Sequence, residues 1–295
     1  MIVRQLAIVS GKGGTGKTTL SASFAHLAKN ALMVDCDVDA PNLHIILKPE
    51  VNKTFEYFGS KKAFIDYNKC INCGICASVC RFEAIDFEQN QYRVKEYACE
   101  GCNACVIACP VNAISLEKTL NGKYFESTCE TGYMAHALLN PGEETSGGLI
   151  SEVRKLSLEI AYSKKIELII IDGAPGIGCP ATSSIVGAKY VIVVSEPTKS
   201  GLHDLVRIVE TIKHFKIPHG IVINKFDINI EQTKEIEKYA QEENLEIIGK
   251  IPFDKTIVEA TRKAKPIIEY DCKSAFAVKD IFEKTIQKLN LSPQS

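Results

Sequence analysis

Leu6-Ala7-Ile8-Val9-Ser10-Gly11-Lys12-Gly13-Gly14-Thr15-Gly16-Lys17-Thr18-Thr19 joins a short apolar run to a glycine-rich loop and then to a helical segment that continues to Lys29. Gly11 to Thr18 fits the pattern G-x-x-x-x-G-K-[ST], in which backbone N–H groups and a helix N-terminus converge on phosphate oxygens. The strand before it and the helix after it supply the context such a loop needs. Gly11, Lys12, Gly13, Gly14, Thr15, Gly16, Lys17, Thr18 and Thr19 are therefore the candidate phosphate-binding residues. Lys17 is expected to reach the β- and γ-phosphates, and the Thr18 hydroxyl to ligate Mg2+.

Outward from this loop, Leu32 to Val34, Leu168 to Ile171, Tyr190 to Val194, Gly220 to Ile223 and Ile247 to Ile251 are further strand-length apolar runs. Between them lie segments of helical period, among them Val153, Leu156 and Ile160, and later Val278, Ile281, Phe282, Ile286 and Leu289. This alternation predicts an α/β fold: a mainly parallel, doubly wound sheet with helices on both faces. Mixed charges on the last helix (Lys279, Asp280, Glu283, Lys284, Lys288) predict packing on the domain rather than a membrane surface. A net charge of −1 over 295 residues gives no electrostatic basis for nucleic-acid binding. No apolar run approaches the roughly twenty residues of a membrane span, so no stable membrane anchoring is expected. The first nine residues read as a strand rather than a secretory leader, which places the chain in the cytoplasm with its thiols reduced.

Eight of the twelve cysteines form two runs, Cys70-x-x-Cys73-x-x-Cys76-x-x-x-Cys80 and Cys99-x-x-Cys102-x-x-Cys105-x-x-x-Cys109-Pro110. In this pattern three thiolates of a run hold one [4Fe-4S] cluster, and the fourth ligates the other cluster. The expected assignment is crossed: Cys70, Cys73, Cys76 and Cys109 around one cluster, and Cys99, Cys102, Cys105 and Cys80 around the second. Zinc sites usually take two C-x-x-C pairs with a longer spacer, and disulfides need an oxidising compartment. The near-repeats Cys80-Arg81-Phe82-Glu83-Ala84-Ile85 and Cys109-Pro110-Val111-Asn112-Ala113-Ile114 suggest a duplicated half-domain, each half supplying one hairpin and one helix. The stretch looks like an α+β bacterial-type two-cluster ferredoxin. The expected domains are 1–55, the first part of a P-loop domain; 56–120, the ferredoxin-like insert; and 121–295, the second part.

Lys12-Gly13-Gly14-Thr15-Gly16-Lys17-Thr18-Thr19 resembles the deviant Walker A loop of MinD/ParA-type ATPases, a family that includes the nitrogenase iron protein and the Mrp-type iron-sulfur carriers. The resemblance implies ATP and Mg2+ as ligands and an ATP-dependent homodimer, or a dimer with a close paralogue, in which Lys12 reaches the facing nucleotide. Lys12, Lys17 and Asp37 are the implied catalytic residues. Val34-Asp35-Cys36-Asp37 resembles the first switch, with Asp35 on Mg2+-bound water and Asp37 orienting the attacking water. Ile171-Asp172-Gly173-Ala174-Pro175-Gly176 resembles Walker B and the second switch, so Thr18, Asp35 and Asp172 form the implied Mg2+ set. Asp39 reads as a helix N-cap for Pro41 onward. Asn224-Lys225-Phe226-Asp227 has the N-K-x-D form associated with guanine. In this family the matching asparagine contacts adenine and a later segment, here Pro252-Phe253-Asp254, closes the other side, which favours ATP.

The resemblance extends over nearly the whole chain to the Mrp-like, ferredoxin-containing branch, including Pro141-Gly142-Glu143-Glu144-Thr145-Ser146-Gly147 and Gly176-Ile177-Gly178-Cys179-Pro180. Arg81 departs from it, standing where a proline is usual. Cys179, after the second switch, is a possible extra cluster ligand or a buried structural thiol; Cys36, Cys129 and Cys272 read as small buried hydrophobes, and His136 as a packed side chain. Three functions follow: an ATPase that assembles or delivers a metal or iron-sulfur cofactor to a client, an ATP-gated electron donor to a redox partner, and a MinD-like positioning protein. The first is favoured on resemblance. The insert leaves the chain just after the first switch, an order that would let nucleotide-dependent movement of Asp37 reach it.

Overall fold

A computed structural model describes residues 1–95, 97–143 and 146–290 of the chain. Among the described residues two compact units emerge: those within 1–55, 124–138 and 146–290 form the first, and those within 56–123 and 139–143 the second. Glu144 and Thr145, within the Pro141 to Gly147 stretch quoted above, lie outside the described residues.

In chain order the elements are β1 (Arg4–Val9), α1 (Lys17–Ala28), β2 (Ala31–Asp35), α2 (Leu43–Leu47), β3 (Glu50–Tyr57), β4 (Ser60–Ile65), α3 (Ile75–Ser78), β5 (Ile85–Glu88), β6 (Gln91–Val94), α4 (Ala104–Ala108), β7 (Ile114–Thr119), β8 (Gly122–Cys129) and β9 (Gly132–Leu139). Then follow α5 (Ser146–Lys164), β10 (Leu168–Asp172), α6 (Cys179–Ile185), β11 (Tyr190–Ser195), α7 (Lys199–His214), β12 (His219–Asn224), α8 (Ile230–Glu242), β13 (Glu246–Ile251), α9 (Lys255–Arg262) and α10 (Lys273–Lys288).

The first unit is built on the sheet β13-β12-β11-β1-β10-β2-β9-β8-β3. From β13 to β9 every neighbouring pair is parallel. Every residue of β2, β10 and β11 is buried, as expected of parallel strands covered on both faces, whose side chains are apolar without alternation. All six apolar runs read from the sequence lie in these parallel strands. The β8–β9 hairpin and β3 extend the sheet beyond β2; β8 and β9 are joined by only Glu130 and Thr131, a connection too short for parallel neighbours. Helix α1 follows a left-handed Gly16 (φ 91°) and buries Leu20, Phe24 and Ala28. Phe24 meets Phe282 of α10 edge-on at 5.0 Å, so the last helix is part of the core, with Val278 and Ile281 buried. Among the described residues no helix is long and apolar enough to cross a membrane.

Asp39 does not cap a helix. Helix α2 begins after Asn42, and its first N–H, that of Leu43, donates to Asp35 Oδ2 at 3.3 Å, so the carboxylate of the preceding strand end takes the capping role.

The second unit is duplicated at the level of single backbone angles. Positions offset by 29 residues, the separation of Cys70 and Cys99, share left-handed backbones: Asn72 (φ 55°) with Gly101 (φ 60°), Gly74 (78°) with Asn103 (70°), and Glu83 (50°) with Asn112 (51°). The repeat unit is strand, helix, strand: β4-α3-β5 and β6-α4-β7. Each half was expected to supply its own hairpin, but each ladder takes one strand from each half. β4 pairs antiparallel with β7 (Ile65 opposite Ile114), and β5 with β6 (Ile85 opposite Val94). A short strand has no partner inside its own half, because the cysteine loop and helix separate its two strands.

His136 of β9 is packed as expected. It stacks on Phe125 (centroids 4.9 Å) and its Nε2 lies 2.9 Å from Ser127 Oγ. Burial, and secondly the charge of His44, lowers its pKa from 6.5 to about 4. The unfolded chain takes up this proton near pH 6.5, whereas the folded chain resists it until about pH 4. The stabilisation is therefore complete above 6.5 and is lost as the pH falls from 6.5 to 4. Chemical denaturation at pH 7 and pH 5 should show a loss of about 1–2 kcal/mol attributable to this group. In His136→Gln that pH dependence should flatten.

Candidate functional site

The loops after β1, β2, β10, β11 and β12 gather at the carboxyl ends of the parallel strands, where ligands bind in open α/β sheets. Parallel register sets Asp35 and Asp172 side by side at the ends of β2 and β10. Both are 1 % exposed. Lys17 Nζ lies 2.9 Å from Asp172 Oδ1, and Thr18 Oγ1 donates to Asp172 Oδ2 at 2.7 Å. Ser21 Oγ donates to Asp172 Oδ1 at 2.9 Å. Asp35 Oδ1 accepts from the Asp37 N–H at 3.0 Å, which shapes the turn after β2.

One cation among these carboxylates leaves an excess of negative charge. Burial first, and then the Asp172 charge, pushes Asp35 up to about 8; burial also raises Asp37. Burial pulls the Lys17 ammonium down, but the charge and hydrogen bond of Asp172 outweigh it and leave the pKa raised. The Thr15 hydroxyl in the loop is buried without a hydrogen-bond partner. A Cβ at Gly16 would collide with the Asn224 amide, whose Nδ2 donates to the Thr15 carbonyl at 2.7 Å. Asn224 is thus fastened to the phosphate loop. A partnerless hydroxyl beside a glycine-rich cradle fits an incoming phosphate, and a surplus of buried carboxylate charge fits a divalent cation.

On the other flank, Asp227 Oδ1 accepts from the Phe253 N–H at 2.7 Å, which ties the loop after β12 to Pro252-Phe253-Asp254. Asp254 caps α9, accepting from the Thr256 N–H at 2.9 Å, and the Pro252 carbonyl accepts from Ser274 Oγ at 3.0 Å. Lys12 Nζ pairs with Glu196 Oε1 at 2.6 Å, and Lys225 Nζ with Glu196 Oε2 at 3.4 Å. Glu196 escaped the sequence reading; its only signal was an acidic residue at the end of an apolar strand. Cys179 is exposed at the start of α6, which corrects the buried reading. Cys36 is fully buried, with its thiol raised to about 12 by burial, while Cys129 and Cys272 are only half-buried.

In the second unit the eight cysteines of the two runs line two cavities. Cys70, Cys73, Cys76 and Cys109 line the first, with Ile65 and Tyr92. Cys80, Cys99, Cys102 and Cys105 line the second, with Phe82 and Leu116. The ladders cause this crossing. Cys70 follows β4 and Cys109 precedes β7, so the β4–β7 pairing brings them together; β5–β6 does the same for Cys80 and Cys99. Backbone N–H groups point at the sulfurs: Ala113 to Cys109 (3.2 Å), Ala84 to Cys80 (3.3 Å) and Ala63 to Cys99 (3.4 Å). All eight are free thiols. Among the described residues no group of three or more His, Cys, Asp or Glu is placed to hold a metal ion.

The CobQ/CobB/MinD/ParA nucleotide binding domain family matches residues 6–267. An uncharacterised protein of Methanocaldococcus jannaschii is 32 % identical over 290 residues, covering 96 % of each chain. The iron-sulfur cluster carrier protein of Pyrococcus furiosus is 25 % identical over 307 residues, covering 97 % of this chain and 86 % of the carrier. The septum site-determining protein MinD of Pyrococcus horikoshii, solved with Mg-ADP, superposes with a TM-score of 0.60 over 96 % of each chain at 21 % identity.

A buried carboxylate with a raised pKa costs the nucleotide-free fold stability. For Asp35 the cost is absent below 3.8 and grows as the pH rises toward about 8. Asp35→Asn should therefore raise the melting temperature of the nucleotide-free protein, with a gain larger at pH 8.5 than at pH 6 in thermal scans.

Proposed function

The chain belongs to the CobQ/CobB/MinD/ParA nucleotide-binding family and is an ATPase, and from that premise we propose that it couples ATP binding and hydrolysis in a homodimer to the assembly or delivery of a metal or iron-sulfur cofactor, with two resident [4Fe-4S] clusters in its second unit. The observation that carries this reading is the pair of cavities, each bounded by four cysteines in the crossed arrangement. Zinc sites usually take two C-x-x-C pairs with a longer spacer, whereas two crossed quartets of thiols are the donor set of a pair of [4Fe-4S] clusters. The likeness to relatives named iron-sulfur cluster carrier proteins supports the delivery function. Because each quartet already supplies four thiolates, the resident clusters serve as redox elements rather than as cargo.

On this reading the residues divide the work of hydrolysis. Thr15, Gly16 and the N-terminus of α1 cradle the phosphates, and Lys17 leaves Asp172 to meet the β- and γ-phosphates. Thr18, Asp35 and Asp172 would hold Mg2+, which supplies charge neutralisation as the γ-phosphate departs. One or two carboxylates with phosphate and water oxygens suffice for Mg2+, so a three-carboxylate group is not needed. Asp37 orients the attacking water, and Lys12 reaches the nucleotide of the facing subunit. Asn224 and Lys225, with the Pro252 to Asp254 loop, flank the base. The clusters supply one-electron chemistry when bound; the chain's own part is to shield them with Ile65, Tyr92, Phe82 and Leu116 and to donate N–H groups to their sulfurs.

Anaerobic purification followed by iron and sulfide analysis should give about eight irons per chain. Stoichiometric zinc in their place would overturn the reading. ATP-dependent transfer of iron to an apo-protein is expected; ATP-dependent oxidation of the clusters by a partner, without metal transfer, would instead make the protein an electron donor.

The two clusters should differ in potential. Backbone N–H groups reach Cys80 and Cys99 in one quartet and Cys109 in the other, and Arg81 follows Cys80 directly. Donors and cations near the sulfurs raise the potential. Arg81→Pro should lower the higher of two midpoints in an EPR-monitored redox titration and leave the other in place.

A further inference from the structure

Lys12 is the loop lysine that is not committed to the buried carboxylates. Its ammonium has three N–H donors and meets three acceptors: Glu196 Oε1 at 2.6 Å, Ser200 Oγ at 3.0 Å and Thr198 Oγ1 at 3.3 Å. All three belong to one turn, the end of β11 and the start of α7, whose N-cap is Thr198. The other Glu196 oxygen faces Lys225 at 3.4 Å, the residue after the Asn224 that is tied to Thr15. One carboxylate therefore braces three loops that follow β1, β11 and β12. These lysines depress the Glu196 carboxyl against the opposing effect of burial.

We propose that Glu196 is a positioning residue of the ATPase site: in the nucleotide-free state it holds Lys12 away from the phosphates, and it yields Lys12, while keeping Lys225, when a nucleoside triphosphate binds. The donor count requires an exchange. An ammonium with all three donors engaged on Glu196, Ser200 and Thr198 must release at least one to bond a phosphate oxygen. The pair is suited to exchange. Its side chains are 27 % and 18 % exposed, against 7 % and 1 % for Lys17 and Asp172, so it is screened by solvent and cheap to break. A triphosphate presents several negative charges where Glu196 presents one. After Lys12 leaves, Lys225 still neutralises Glu196, so no carboxylate is stranded. The inference rests on the ATPase site alone and is independent of the cysteine quartets.

The test is a double-mutant cycle on the full-length, cluster-loaded protein, read as the Kd of a non-hydrolysable ATP analogue with Mg2+. Glu196→Gln releases Lys12 in advance and should tighten binding by about two- to fivefold, the worth of an exposed ion pair. In a Lys12→Ala background the same substitution should change the Kd by less than that. Ser200→Ala, which removes one of the three acceptors, should act in the same direction and also lose its effect without Lys12. Unchanged or weaker binding in Glu196→Gln or Ser200→Ala protein that melts like the wild type would overturn the proposal, as would an effect that persists in Lys12→Ala.

Discussion

Two carboxylates that cannot comfortably share one place are held there by the register of the sheet. β10 pairs with β2 so that Asp172 lies opposite Asp35, both at the strand ends and both out of water. Lys17 stands between them from the first turn of α1, and the Thr18 and Ser21 hydroxyls donate to the same Asp172. Neither carboxylate can move without disturbing a central strand buried on both faces. The crowding of carboxylates is therefore built into the backbone, and without a counter-cation it is relieved by holding a proton on Asp35, whose pKa is pushed up to about 8. Such a site is preorganised for a divalent cation.

The second unit solves a different problem with the same tool. Its buried cluster is small, comprising Ala63, Ile65, Cys76, Ile85, Cys105 and Ile114. So little apolar surface supports only short ladders, and a small domain of this kind usually needs added cross-links. Exchanging strands between the halves ties β4 to β7 and β5 to β6, so the ends of each repeat are fixed by the other. The fourth cysteine of each run rides on that exchange into the other run's loop. The crossed quartets are thus a consequence of strand pairing, and ligation at those sulfurs would join the halves a second time.

Much of this was legible in the sequence where the physics is local. The glycine loop, the six buried strands and the helix ending in Leu289 each announce themselves through periodicity or composition. The β8–β9 hairpin and β3 do not: Glu50 to Tyr57 is almost wholly exposed, and its strand-favouring Val51, Thr54, Phe55 and Tyr57 are interrupted by Glu50, Asn52, Lys53 and Glu56, so no apolar run marks it. Asp39 looked like a cap because it precedes Pro41, but Asp35, reaching from a strand end, had better access to the Leu43 N–H. The expected one-hairpin-per-half arrangement failed because pairing partners are chosen in space. Glu196 was invisible for the same reason; its meaning lies in two lysines, 184 and 29 residues away, that only the sheet order brings to it.

Lys12 and Lys17 sit five residues apart in one loop, yet the fold neutralises them by opposite means. Lys17 is bound to a carboxylate that is locked in a strand and buried, so its charge is fixed in position and stays on as the pH changes. Lys12 is bound at the edge of the site to a carboxylate already shared with Lys225. A ligand with enough negative charge can take Lys12 without leaving an unpaired group behind, whereas taking Lys17 uncovers Asp172 and demands a replacement cation. In the proposed mechanism the two lysines set an order: phosphate charge draws Lys12 from its shared carboxylate, and full engagement of Lys17 is coupled to the arrival of a metal ion beside Asp35 and Asp172.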